Sequence, residues 1–97
     1  MNQVIIDAVN TKHILRIEYH GYYRLVEPHT YGINQKGHEA LSCYQVAGGS
    51  ESNEPQGWKL LLISEAHAIS ITENKFMYAR SGYKPNTNTM KRIYAQL

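Results

Sequence analysis

Apolar residues near the start of the chain recur at helical spacing. Val4, Ile5, Ala8 and Val9 share one face, and Asn2 ahead of them can cap the first turn, so the spacing predicts a short amphipathic helix over residues 2–11. From His13 the period drops to two. Leu15, Ile17 and Tyr19 point one way and Ile14, Arg16 and Glu18 the other, which is the signature of a strand. Gly21 and Tyr22 offer a turn, and a second extended run follows from Arg24 to Tyr31. Pro28 within it has no N–H to give, which calls for an edge or a bulge. Asn34-Gln-Lys-Gly37 supplies hairpin chemistry and leads into a third strand near Glu39 to Val46. Residues 47–57 are loop by composition. The nearly continuous apolar run Trp58 to Ile63 then predicts a central strand, and the alternation from Ala68 to Thr72 a fifth one. After Phe76 the pattern is irregular until Thr89 to Leu97, where Met90, Ile93, Tyr94 and Leu97 suggest a last short helix or an extended tail.

The expected fold is therefore mainly β: a small, five-stranded, strongly bent and partly open barrel with an N-terminal helix. The expected division is a barrel over residues 1–75 and a C-terminal extension over 76–97 packed on it. At 97 residues there is no space for a second catalytic domain. A hydrophobic fraction of 42% and a charged fraction of 19% suit a folded domain, and no segment approaches the roughly 18 apolar residues of a membrane span. No membrane partner is expected. The start of the chain lacks a secretory pattern, so the expected location is cytoplasmic.

Cys43 is the only cysteine, which excludes an internal disulfide and reads as a small buried side chain. The five histidines form no HxH or HExxH arrangement, and there is no GxSxG elbow or glycine-rich phosphate loop. Neither a metal, nor a cofactor, nor an enzymatic activity is expected. Gly48 and Gly49 read as ordinary loop glycines. The net charge of +2 is small, but its distribution is uneven: from Lys75 onward there are Arg80, Lys84, Lys91 and Arg92 and no acid. Interleaved Phe76, Tyr78, Tyr83 and Tyr94 make this stretch suited to phosphate contact and base stacking, with Arg80, Tyr83 and Lys84 as its candidate nucleic-acid contacts. The alternative is that the aromatics pin a tail while the charges are solvated.

Arg24 shares a strand face with Val26 and Pro28, which places it at the rim of a buried face as a fork-shaped donor for phosphate or carboxylate. Lys59 can add a second positive charge, and Trp58 or Tyr44 a stacking surface. The competing expectation pairs Arg24 with Glu18, Glu27 or Glu39 on the surface and places Trp58 in the core.

The segments Ile17-Glu-Tyr19, Arg24-Leu-Val-Glu-Pro28, Gly37, Glu39-Ala-Leu41 and Cys43-Tyr44, with Trp58-Lys59 further on, resemble the WYL domain over residues 2–73. In that family a leading helix precedes a small Sm-like or SH3-like barrel. Glu39-Ala-Leu41 stands where the family has Trp-Tyr-Leu, and Cys43 replaces the glycine before the tyrosine. The resemblance implies a ligand pocket using Arg24, Tyr44 and Lys59, and a regulatory role in sensing nucleotides or binding nucleic acid. Family members usually follow a helix-turn-helix, which is not seen ahead of this barrel. The leading expectation is a non-enzymatic module for a nucleotide or single strand. The second is a homo-oligomer or a docking module of a larger regulator, without a small ligand.

Overall fold

The computed structural model describes all 97 residues. Helix α1 (Gln3–Thr11) begins where expected, with the Asn2 side chain accepting from the Ile5 amide at 3.2 Å. It ends at Lys12, whose left-handed backbone turns its N–H back onto Ala8 and Val9. Ile5, Ala8 and Val9 are buried, whereas Val4 lies outside the stripe and is exposed.

Six antiparallel strands follow: β1 (His13–Tyr19), β2 (Tyr22–Asn34), β3 (Glu39–Gly48), β4 (Gly57–Leu62), β5 (Ala66–Lys75) and β6 (Met90–Gln96). The β1–β2 turn is His20-Gly21, both left-handed, as a tight two-residue hairpin requires. The sheet runs β4-β3-β2-β1-β5, and β6 pairs with β2 off this path. It curls so far that the Tyr19 hydroxyl on β1 accepts the Leu62 amide of β4 at 3.2 Å, three strands away in the order. One apolar cluster inside the curl, including Leu15, Ile17, Val26, Leu41 and Leu61, draws on α1 and every strand but β5, whose half-buried Ala66 and Ile69 pack against it.

Three expectations are corrected. There are six strands rather than five, and the terminal segment that was expected to be helical or an extended tail is β6. Its apolar residues satisfy a helical spacing, but an open edge on β2 gives its backbone a ladder instead. Strand β4 lies at the sheet edge rather than its centre, and Leu60 on its outer side is 52% exposed. The outermost strands β4 and β5 do not pair with each other, so the sheet is open, in keeping with the expected partial opening but without closure into a barrel.

Pro28 lies at a bulge, as its missing N–H demands. Pro28 pairs with Cys43 and Thr30 with Ser42, leaving His29 as the extra residue. Before the bulge, β2 pairs with β1 from Tyr22 to Val26; after it, with β6 from Thr30 to Asn34. The bulge also shifts side-chain parity, so that Glu27 and Thr30 face outward while Val26 and Tyr31 both face the core.

Gly32 allows β6 to come close: a Cβ there would run into the Arg92 carbonyl. Gly32→Ala is therefore expected to destabilise the fold by about 1–3 kcal/mol in urea unfolding. The β6 amides should lose exchange protection before those of β1, and uniform loss across both strands would show that β6 does not dock as a separate step.

Candidate functional site

The outer face of β2, β3 and β4 is roofed by residues 76–89, and His29 is the pin. Its Nδ1–H donates to the Glu27 carbonyl at 2.8 Å, while Nε2 accepts the Arg80 amide at 3.0 Å. The His29 carbonyl takes the Leu97 amide at 3.0 Å, so one bulge residue holds both ends of the C-terminal segment. The imidazole is fully buried among Trp58, Phe76 and Tyr83. Burial holds its pKa below the ordinary value, and the Arg80 amide needs the neutral ring as acceptor.

Beside it Glu27, also buried, receives Nε and an Nη of Arg80 at 2.8 and 3.1 Å. The Arg80 guanidinium lies 4.4 Å over the Tyr44 ring, and Tyr44 meets Trp58 edge-on at 5.7 Å. A charge buried without its partner is costly, which makes the fork of Arg80 the natural match for Glu27. The Trp58 indole N–H donates to the Ser81 carbonyl at 3.0 Å and thereby fastens the roof to β4.

Between roof and sheet lies a cleft of about 400 Å³, lined by Trp58, Leu60, Tyr83, Lys84 and the hydroxyls of Thr30, Ser42, Thr87 and Thr89. Lys84 is exposed. Tyr83 is anchored through its hydroxyl to the Leu97 carbonyl at 2.7 Å, and its pKa is raised chiefly by burial. Indole and phenol rings, one ammonium and several hydroxyls are the parts that a phosphate-bearing, partly planar ligand needs. Lys59 contributes to the cleft wall, but strand alternation turns its side chain to the other side of β4, opposite Cys43.

Arg24 and Lys59 reach one loop. The Arg24 side chain is only 2% exposed, and one Nη donates to the Tyr19 carbonyl at 3.2 Å and to Glu51 at 2.7 Å. Glu51 belongs to the loop after β3, and none of the expected partners Glu18, Glu27 and Glu39 takes Arg24. Lys59 Nζ reaches the same loop, donating to the Glu54 carbonyl at 2.7 Å and lying 3.5 Å from the hydroxyls of Ser50 and Ser52. Burial pushes the Cys43 thiol up to about 12, with Arg24 and Lys59 both pulling against it.

The expected single pocket is thus two places. Trp58, Tyr83 and Lys84 meet in the outer cleft, with Tyr44 and Arg80 beside it, whereas Arg24 and Lys59 each reach the loop after β3. Sequence reasoning missed His29, Glu27 and Glu51. The signal for His29 was its place after Pro28, where a bulge turns a residue out of the ladder. For Glu51 it was the preceding Gly48-Gly49, which is more than loop composition: a Cβ at Gly48 would strike the Tyr23 carbonyl, and one at Gly49 the Tyr22 ring. Comparison with protein-family models, curated proteins and solved structures finds no match to this chain.

His29 has a folded pKa below the ordinary histidine value of 6.5, so the unfolded chain binds the proton more readily. Its contribution to stability is fully present above 6.5 and is lost as the pH falls from there toward the folded value. Between about pH 7 and about pH 5 the urea midpoint of the wild type should fall relative to His29→Gln, which does not titrate. Parallel midpoints would mean that His29 is not the pin of the roof.

Proposed function

We propose that this chain is a non-enzymatic binding module that holds a nucleotide or a short single strand in the outer cleft. The observation that carries the reading is the convergence of Trp58, Tyr83 and Lys84 in one cleft, with four hydroxyls around them. Two aromatic rings offer surfaces for a base, Lys84 a charge for phosphate, and the hydroxyls hydrogen bonds for sugar or phosphate oxygens. Arg80 has its Nε and one Nη engaged with Glu27, so its part is to hold the roof, with Lys84 the phosphate contact. The likeness of the Arg24–Pro28 and Gly37–Tyr44 segments to WYL domains supports a regulatory role for such binding. So does a leading helix followed by antiparallel strands, to which β6 is an addition.

A docking role has one observation in its favour. Met77 and Tyr78 are 74% and 76% exposed on the roof, an apolar pair with no cover in the single chain.

Trp58 is the only tryptophan and lines the cleft, so its fluorescence reports on the site directly. Short labelled single-stranded DNA and RNA should raise anisotropy in a salt-dependent way while altering Trp58 emission. Lys84→Ala should weaken binding and reduce the salt slope by about one phosphate contact. Should the folded wild type bind neither strands nor nucleoside phosphates at low salt, the binding reading fails. Concentration-dependent self-association in light scattering, lost in Tyr78→Ser, would then place the function in docking.

A further inference from the structure

The loop over Arg24 and Lys59 leaves its base incompletely satisfied. Arg24 Nε and the side-chain oxygen of Gln45, a fully buried residue, are both buried with no hydrogen-bond partner. The charges are unmatched as well. Arg24 faces the Glu51 carboxylate, but the nearest oxygens around Lys59 are a carbonyl and two hydroxyls. Lys59 thus meets no carboxylate, and Glu51 divides its own between Arg24 and His20. Glu51 itself is 54% exposed and sits in a connection without helix or strand, which leaves the body at Gly48-Gly49 and rejoins it at Gly57.

We propose that the segment Gly49–Gly57 is an internal plug in an oxyanion site, with the Glu51 carboxylate standing where a ligand's phosphate group binds Arg24 and Lys59. A phosphate carries more charge and more acceptor oxygens than a carboxylate. It matches both cations and offers Arg24 Nε the acceptor that the plug does not supply. Gln45, whose amide N–H donates to the Gly49 carbonyl at 3.0 Å, is released when the plug leaves. The proposal concerns the side of the sheet opposite the outer cleft and stands whether or not that cleft binds a base.

His20 is the clasp on the plug. Its Nδ1 meets Glu51 at 2.8 Å and its Nε2 meets Glu65 of the 3₁₀ turn Ile63–Glu65, so both nitrogens face carboxylates and the ring acts as an imidazolium. The Tyr19 ring stacks on it at 4.1 Å, and Lys36 and His38 from the β2–β3 turn line the same shallow cleft. Arg24 lies beyond Glu51. The hydrogen bonds to Glu51 and Glu65 raise the His20 pKa, while His20 foremost holds Glu51 down to about 2. The clasp is therefore closed below the ordinary histidine value and loosens as the pH rises through the raised one.

The test is an NMR titration of the full chain, wild type and Glu51→Gln, with sulfate as a non-titrating tetrahedral probe and acetate as the carboxylate one. Chloride keeps the ionic strength constant. Glu51→Gln should bind sulfate about tenfold more tightly than the wild type, with the Arg24 Nε–H resonance shifting and acetate binding weakly. The added substitution Arg24→Lys should abolish the gain. Raising the pH from about 6 to about 8 should narrow the gap between wild type and Glu51→Gln, because the wild-type clasp opens. A Glu51→Gln chain that keeps a folded amide spectrum yet shows no saturable sulfate shift overturns the proposal, as does equal affinity in the two forms. Tighter acetate than sulfate binding overturns the assignment to phosphate. The cleft reading is tested separately at Lys84, so either can fail alone.

Discussion

The arrangement rests on one irregularity, the bulge at Pro28–Thr30 in the longest strand. Proline cannot donate to a ladder, and a central strand with a missing donor must either lose a bond or change partners. Here it changes partners. Strand β2 leaves β1 after Val26, takes up β6 at Thr30, and keeps β3 along both halves. The residue expelled from register, His29, is also the one that receives the Arg80 and Leu97 amides. A local defect in the sheet thus becomes the anchor for everything beyond Phe76, including the roof of the outer cleft.

Two buried charges follow a common logic on opposite sides of the sheet. Glu27 faces outward and Arg24 inward, and each meets an ion from an irregular segment: Arg80 from the roof and Glu51 from the loop. Burying an ion is costly, and removing its partner leaves an uncompensated charge, so each segment is held in place by what its withdrawal would cost. The two pairs differ in completeness. Arg80 meets Glu27 with a two-pronged fork, whereas Arg24 keeps a buried Nε without an acceptor. That difference separates a structural clamp from a site still able to take another anion.

The regular elements were legible because their signals are local. Helix α1 followed from Asn2 and its apolar stripe, β1 from strict alternation, and the first hairpins from Gly21 and Gly37 with their neighbours. Where partners lie far apart in sequence, the pattern stopped short. The spacing of Met90, Ile93 and Tyr94 suits a helix face, and only the open edge of β2 decides for a strand. Trp58 to Leu62 is apolar enough for a central strand; its position at the edge depends on which strands bond to it, and the roof covers part of its outer face. The candidate residues, gathered from the sequence into one pocket, lie in two places. Trp58 and Lys59 are adjacent in sequence, and adjacency in a strand sends side chains to opposite faces. The bulge at Pro28 then added a parity change that no count from Arg24 could anticipate.

Two histidines with opposite demands tie these segments to pH. His29 must be neutral to accept the Arg80 amide, and burial favours that form. His20 must be protonated to donate to both Glu51 and Glu65, and those carboxylates favour that form. Their pKa values are moved apart, one below and one above 6.5, so at 6.5 each ring favours the form its contacts need. Acidification weakens the roof while leaving the loop clasped; alkalinisation frees the loop while leaving the roof in place. In the proposed roles the outer cleft needs the roof and the Arg24 site needs the loop withdrawn, so a rise in pH is the one direction that favours both.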